Sequence, residues 1–267
     1  MTVLVTGATG NIGRMVVTEL RRLGADDVRA LTVDPGRAAL PAGVSVYRGH
    51  LGRPSSIVAA LEGADVMYLA PHLPTVDEVC RLAHAAGVRR IVDLVGPRGG
   101  IWQPIEDAVE ASGIPWTHLE PGEFMSNATL WANQIRAGNT IRDAYPDATN
   151  APIAQEDVAA AAAQILLTTG HEGKAYPLTG PAALSRREMI RLLGEALGRP
   201  LEYLELSRDQ AQPVFEQVQG AAADWYLDGL DTLTRHPQTE LHPATEITGR
   251  PATTYRTWAR THTDLFQ

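Results

Sequence analysis

Thr2-Val3-Leu4-Val5-Thr6-Gly7-Ala8-Thr9-Gly10-Asn11-Ile12-Gly13-Arg14 is the stretch whose reading decides the fold. Apolar and β-branched residues run into three glycines spaced three apart, and an amphipathic segment over residues 15–23 follows. That order predicts a strand, a tight turn and a helix. Without Cβ atoms at Gly7, Gly10 and Gly13, the backbone turns sharply and a pyrophosphate can come close. The free N–H groups and positive dipole end of the helix then receive the phosphate charge. The spacing is G-x-x-G-x-x-G rather than G-x-G-x-x-G. Its place between a strand and a helix still marks it as a dinucleotide-binding turn.

Outward from that turn the pattern alternates. Strands are expected at residues 28–33, 44–47, 65–70, 90–95 and 116–119, with helices at 54–61, 76–86 and 103–111 between them. Six strands alternating with helices predict a doubly wound parallel sheet of order 3-2-1-4-5-6, because right-handed crossovers cover both faces. Beyond Pro121 the pattern changes. Residues 124–137 and the alanine-rich 156–168 read as helices, and 175–178 and 201–204 as short strands. Ser185 and Glu188 have the spacing of a reciprocal capping box. Residues 207–267 read as helices and loops in which Trp225 and Trp258 pack. The expected division is a Rossmann-type domain over 1–150 and a smaller α/β substrate-binding lobe over 151–267, partly interleaved with the first.

Composition bounds the partners. At 267 residues the chain can bury roughly three quarters of its unfolded surface. A net charge of −8 argues against nucleic-acid and anionic-membrane partners. Cys80 is the only cysteine, which excludes an internal disulfide and a thiolate metal cluster. A strand beginning at residue 2 and the absence of a membrane-length apolar run set the expectation of a cytoplasmic protein. The eight histidines show no H-E-x-x-H, and no metal site is expected.

The sequence resembles the NmrA-like family, an atypical branch of the short-chain dehydrogenase/reductase superfamily. The residues that carry this are Thr6–Gly13, Ile105-Glu106-Asp107-Ala108, Ser112-Gly113-Ile114-Pro115-Trp116-Thr117 and Pro121-Gly122-Glu123-Phe124-Met125-Ser126-Asn127. Later matches are Glu156-Asp157-Val158-Ala159, Leu178-Thr179-Gly180-Pro181 and Thr248-Gly249-Arg250-Pro251. The resemblance covers nearly the whole chain and is most specific over 105–127. It implies NADP or NAD at the glycine turn, and either a reductase of quinones and other carbonyl or unsaturated compounds or a catalytically silent redox sensor.

Cofactor contacts are expected from Gly7, Thr9, Gly10, Asn11, Ile12 and Gly13 in the turn. Others are expected from Val33, Asp34 and Arg37 after the second strand, from His50 and Leu51, from Ala70 and Pro71, and from Val95 and Pro121. Four positions depart from the family pattern. Val33-Asp34 stands where a basic residue usually holds a 2′-phosphate, and a carboxylate there would instead accept from a free 2′-hydroxyl; Asp34-Pro35-Gly36 reads equally well as a plain turn. Arg14 or Arg37 can still reach a phosphate. His50 follows Gly49 where an aspartate is typical, Val95-Gly96 replaces a small hydroxyl residue, and Glu120 replaces an arginine.

Ordinary short-chain dehydrogenases use Tyr-x-x-x-Lys, whose lysine lowers the pKa of the acidic tyrosine. None of the seven tyrosines here has a lysine four residues on, and Lys174 is the chain's single lysine. In an open parallel sheet the substrate meets the carboxyl ends of the strands. The expected pocket is therefore His72, Trp102, Glu120, Glu123, Phe124, Met125 and Trp131, while His118 reads as a hydrogen-bonded core histidine. No residue is assigned a catalytic role. The leading expectation is an NAD(P)H-dependent reductase of an apolar or aromatic carbonyl, quinone or conjugated alkene. The alternatives are a redox-neutral isomerase or cyclase and a non-catalytic NAD(P)-sensing regulator.

Overall fold

A computed structural model describes residues 1–267. The first half alternates as the periodicity dictates. β1 (Thr2–Val5) leads into α1 (Asn11–Arg22), followed by β2 (Asp27–Thr32) and β3 (Val44–Arg48). Pro54 opens a 3₁₀ turn, Pro54–Ile57, where its missing N–H costs nothing, and α2 (Val58–Leu61) continues it. Then come β4 (Val66–Leu69), α3 (Val76–Ala85), β5 (Arg90–Leu94), α4 (Gln103–Ala111) and β6 (Trp116–Pro121). After α5 (Ala132–Ala137), β7 (Thr140–Asp143) and β8 (Thr149–Asn150), the chain forms α6 (Gln155–Leu167) and β9 (Lys174–Leu178). The remainder is β10 (Leu184–Ser185), α7 (Arg186–Ala196), β11 (Glu202–Glu205), α8 (Arg208–Gln219), α9 (Ala223–Arg235), α10 (Thr245–Thr248) and α11 (Tyr255–Thr261).

Two compact units result. The first is Met1–Gly122, Gln155–Leu178 and Ala244–Arg250; the second is Glu123–Ala154, Thr179–Pro243 and Pro251–Gln267. The chain thus passes between units several times; the sequence reading placed a division at 150 with the two parts partly interleaved.

The first unit is a parallel sheet of order β3-β2-β1-β4-β5-β6-β9. The expected six-strand order is present, and the short strand at 174–178 extends it, pairing Leu119 with Tyr176 and Pro121 with Leu178. On one face Leu4, Met67, Leu69 and Ile91 bury against Val79 and Ala83 of α3 and Ile105 and Val109 of α4. α6 carries the buried run Ala159–Ala163, and its small side chains let α1 pack close against it.

The second unit pairs β7 with β11 in parallel and β8 with β10 antiparallel. Its core gathers Trp131, Ile135, Ile141, Ile190, Leu193, Tyr255 and Trp258. One ion pair lies inside it. Arg186 and Asp143, 3% and 1% exposed, meet through Nε–Oδ2 at 2.9 Å and Nη2–Oδ2 at 2.6 Å. Trp131 Nε1 donates to the same Oδ2 at 2.8 Å, and the guanidinium lies 4.9 Å from the Trp131 ring centroid.

Several local expectations change. Residues 124–137 are a 3₁₀ segment, Met125–Trp131, followed by α5 rather than one helix. Ser185 Oγ accepts from Glu188 N–H at 3.2 Å, but the Glu188 carboxylate binds Arg191 instead of returning to the cap, so half the box forms. The complete box is at Ser207 and Gln210 of α8. Trp225 is 64% exposed, because the buried stripe of α9 runs through Ala223, Leu227 and Leu230 and misses it. Trp258 is buried as expected.

The Arg186–Asp143 pair supplies a stability test. Arg186→Leu strands a buried carboxylate and should cost about 3–5 kcal/mol in urea unfolding of the whole chain. Adding Asp143→Leu should recover part of that loss; a double variant as unstable as the sum of both singles would show that the charges do not act as a pair.

Candidate functional site

Gly7 sits at φ +58, in the left-handed region, and a Cβ there would lie 2.8 Å from Ala70 Cβ. Gly10 N–H donates to Gly7 O at 2.9 Å, and Arg14 N–H to Gly10 O at 3.2 Å, which starts α1. A Cβ on Gly13 would collide with the Gly7 carbonyl. The first turn of α1 therefore rests directly on the turn after β1. The N–H groups of Asn11, Ile12 and Gly13 have no intrahelical acceptor, and no side chain caps them. Thr6 fixes the turn against β4, donating through Oγ1 to Tyr68 O at 3.0 Å and accepting from Ala70 N–H at 2.8 Å. A glycine-only cradle with open donors fits a dinucleotide diphosphate.

Beside it, outside the carboxyl ends of β1, β2 and β4, lies a cavity of about 290 Å³. Gly7, Thr9, Val33, His50, Leu51, Ala70 and Pro71 line it, which brings together seven of the fifteen residues expected to hold cofactor. That size suits the nucleoside half of a dinucleotide. Leu31, Thr32 and Gly49 also line it and were missed. Thr32 carried a signal, since it immediately precedes the expected strand end; its Oγ1 lies 3.0 Å from Thr9 Oγ1. Gly49 is required by crowding: a Cβ there would lie 2.7 Å from both Leu31 Cδ1 and Ser56 O.

His72 lines this same cavity, although the sequence placed it with the substrate. Its ring meets that of His50 edge-on, with centroids 5.5 Å apart. Gly52 N–H donates to His50 Nδ1 at 3.0 Å, which leaves the proton of the neutral ring on Nε2. Thr75 Oγ1 donates to Leu51 O at 2.8 Å and so accepts from His72 Nδ1–H at 2.9 Å, leaving His72 Nε2 as an acceptor.

The turn after β2 corrects another expectation. Asp34 accepts from Gly36 N–H at 3.2 Å and caps the 3₁₀ turn Pro35–Arg37, so its carboxylate serves the turn and does not line the cavity. Arg37 is exposed and is likewise no part of the lining. Arg14 Nη1 donates to Ala38 O and Ala39 O at 2.8 Å each, which commits it to holding that loop. Val33, 52% exposed, stands at the cavity wall.

At the ends of β5 and β6 the expected residues separate. Val95 is buried in the apolar core and donates its N–H to Leu119 O at 3.0 Å, so its side chain is not free for a cofactor. Trp102 packs across Gly96, where a Cβ would lie 2.8 Å from its Cδ1. Pro121 ends β6 and is buried. His118 is a core histidine, as its sequence position suggested: Nδ1 bonds the buried Asp93 carboxylate at 2.8 and 2.9 Å. Burial works against its charged form, but the Asp93 bond and charge outweigh that and raise its pKa. Glu120, on the same face of β6, is 8% exposed, and its Oε1 has no partner. Burial, then the Glu106 carboxylate of α4, pushes the Glu120 carboxyl above the usual range, against the opposing pull of His118 and Arg98.

In the second unit, Glu123 Oε1 accepts from Asn127 Nδ2 at 2.9 Å and from Tyr226 Oη–H at 3.0 Å. Phe124 is half-buried ahead of the 3₁₀ segment. Met125 and Trp131 are core residues of that unit, so the structure withdraws both from the expected pocket lining.

Gly13→Val should remove dinucleotide binding. The parent at a hundred times its dissociation constant should gain about 2.7 kcal/mol, visible as a rise in melting temperature. The variant should melt at one temperature with or without NAD(H) or NADP(H); an undiminished rise would show that the turn is not the diphosphate site.

A family model described as NAD(P)H-binding matches residues 7–96, the span that builds the cradle and the cavity. Over 99% of both chains, the sequence is 36% identical to a (4-alkanoyl-5-oxo-2,5-dihydrofuran-3-yl)methyl phosphate reductase of Streptomyces griseus. It is 32% identical, again over 99% of both chains, to an NAD(P)H azoreductase of Xenophilus azovorans. Among solved structures, an NADPH-dependent quinone oxidoreductase of Escherichia coli in complex with NADPH superimposes with a TM-score of 0.86, at 25% identity over 97% of this chain and 99% of that one. The chain belongs to the NAD(P)H-dependent reductases of the atypical short-chain dehydrogenase/reductase superfamily, in the NmrA-like family that its sequence resembles.

Proposed function

We propose that this reductase acts on small, conjugated, already electrophilic acceptors, quinones or alkenes conjugated to a carbonyl, and acts poorly on simple ketones. Bound NAD(P)H supplies the hydride. The observation that carries the reading is the place of the only lysine. Lys174 begins β9 and donates through Nζ to Gly170 O at 2.7 Å. In a parallel sheet that is the amino end, opposite the carboxyl ends where the glycine turn and cavity lie. No lysine stands at the cofactor end to lower a tyrosine pKa, and burial pushes the phenols of Tyr68 and Tyr255 up instead.

Without a lysine-tuned acid, the acceptor must tolerate negative charge until a proton arrives. A quinone or an enone spreads that charge by conjugation, whereas an isolated ketone does not. The relatives' names agree in kind: an azo compound, a quinone and an oxo-dihydrofuran all offer electron-poor unsaturation. A small-molecule substrate, a cytoplasmic setting and no nucleic-acid partner belong to the same reading, supported by the acidic balance of −8 and the single cysteine. Val33 at the cavity wall, where a basic residue would hold a 2′-phosphate, favours weak cofactor discrimination or a lean toward NAD(H).

Dihydronicotinamide oxidation, followed by absorbance against panels of quinones, acyl-substituted unsaturated lactones and simple ketones, tests the acceptor class. Quinones or lactones should turn over and ketones should lag. Faster turnover of ketones would overturn the argument from the missing lysine. Oxidation with none of the panels would return the choice to redox-neutral chemistry.

Cofactor choice has its own test. Val33→Arg should tighten NADP(H) relative to NAD(H) by about 1.5–3 kcal/mol through a charge-assisted contact. Calorimetric titration of both cofactors reads this directly; unchanged relative affinities would place the 2′-position away from the Val33 wall.

A further inference from the structure

We infer that this chain reads the adenine base of its cofactor with a histidine pair where the family has an aspartate. His72 accepts from the exocyclic amino group, and His50 donates to a neighbouring ring nitrogen. The inference rests on the assignment of the cavity beside the glycine turn to the nucleoside half of NAD(P)H, and it adds what selects the base.

The lining decides which groups can meet a base. Leu31, Val33, Leu51, Ala70 and Pro71 offer apolar surface to its faces, and no carboxylate or carboxamide is among the lining side chains. The main chain there is already engaged. Ala8 N–H donates to Leu31 O at 3.2 Å, Gly49 N–H to Thr32 O at 2.9 Å, and His50 N–H to Ser56 Oγ at 3.0 Å. Ala70 N–H is held by Thr6 Oγ1 at 2.8 Å, and Pro71 has no N–H. The hydroxyls of Thr9 and Thr32 lie 3.0 Å from each other beside the glycine turn. What remains for the edge of a base is imidazole nitrogen.

The two rings offer opposite roles. Each binds the protein through Nδ1, and no protein group bonds either Nε2. His50 Nδ1 accepts from Gly52 N–H at 3.0 Å, so the ring presents Nε2–H, a donor. Thr75 has one hydroxyl proton, and Leu51 O takes it at 2.8 Å. Thr75 Oγ1 therefore accepts from His72 Nδ1–H at 2.9 Å, and His72 presents a bare Nε2, an acceptor. The rings stand edge-on with centroids 5.5 Å apart. Gly52 leaves room for both: a Cβ there would lie 2.9 Å from His50 Nδ1 and 3.1 Å from His72 Nε2.

Adenine carries the complement on one edge, an amino group at C6 beside an acceptor nitrogen. Hypoxanthine, with an oxygen at C6, would set an acceptor against the acceptor of His72. A neutral histidine avoids that clash only by moving its proton to Nε2. Here the move would turn the Thr75 hydroxyl toward His72 Nδ1 and leave Leu51 O, on a buried residue, without its donor. Thr75 does not line the cavity. It is a positioning residue that fixes the tautomer of His72.

Calorimetric titration of NADH and NADPH against their hypoxanthine counterparts tests this without turnover. The parent should favour adenine by roughly tenfold or more, the cost of one lost bond to an acceptor left unpaired. His72→Phe keeps a ring and removes the acceptor, so the ratio of dissociation constants should fall close to unity. Thr75→Val frees the tautomer and should do the same, whereas Thr75→Ser keeps the hydroxyl and should keep the preference. The ratio within one variant cancels any general loosening of the loop. His50→Phe should weaken binding of the adenine cofactors. Nitrogen-15 shifts of the imidazoles in the cofactor-free protein read the tautomers directly. His72 should carry its proton on Nδ1 and His50 on Nε2, and Thr75→Val should add the Nε2–H form at His72. Equal affinities in the parent, a preference that survives His72→Phe, or a Thr75→Ser variant that behaves like Thr75→Val would each overturn the proposal. So would unchanged adenine affinity in His50→Phe, or a His72 proton on Nε2 in the parent. If neither kind of cofactor binds, the assignment of the cavity falls and the proposal with it; binding without base preference overturns the proposal alone.

Discussion

The contact on which the structure depends is between two glycines. Gly13 of α1 lies against the carbonyl of Gly7 so closely that a single Cβ would collide with it. This approach sets the direction in which α1 leaves β1 and aims its open N–H groups at the carboxyl end of the sheet. It also fixes where α1 must pack. Small residues on both sides answer that demand, glycine at the turn and the alanine run of α6 along the helix. Larger residues in either place would move α1 off the turn and close the cradle, so a packing requirement and a binding requirement share the same atoms.

The two units treat buried charge differently. In the second, Asp143 is satisfied completely, by two guanidinium contacts, the Trp131 N–H and its neighbour's amide. Removing one partner would be expensive, yet the group as arranged is inert, a structural pair with its hydrogen-bonding capacity filled. In the first, Glu106 is bridged by Gln103 and Arg98, Asp93 by His118, and Glu120 keeps an oxygen without a partner.

How much of this was legible in the sequence depended on whether the signal was local. The glycine turn, the strand order and the burial of His118 were readable, because spacing and periodicity act within a few residues. The strand character of β9 was readable too, but its place at the edge beside β6 was not, since nothing local in Lys174–Leu178 names a partner some sixty positions away. The pocket lining failed in the same way. Met125 and Trp131 follow Pro121-Gly122 in sequence and looked available, whereas Asp143 and Arg186 claim Trp131 from far along the chain. Asp34 shows the converse: two readings were open, and the Gly36 amide selected the turn. Thr32 and Gly49 were overlooked because their importance lies in what packs on the other side of them.

Magnitudes explain how such a site works without the usual tyrosine and lysine. Holding donor and acceptor in register is worth roughly 7–11 kcal/mol of barrier. A well-placed general acid adds a factor of about 10²–10⁴, or about 3–5 kcal/mol at 1.36 kcal/mol per tenfold. Positioning therefore lowers the barrier more than acid catalysis does, and the cradle and cavity supply it from backbone and apolar atoms alone. Proton delivery can be met in two ways, by an acid in the protein or by an acceptor that stabilises its own charge. A conjugated acceptor reduces what an acid must contribute, whereas an isolated ketone would need the stronger help that Tyr-x-x-x-Lys provides. The absence of a lysine from the cofactor end and the choice of a conjugated acceptor meet in one requirement, that the substrate carry part of the electrostatic work.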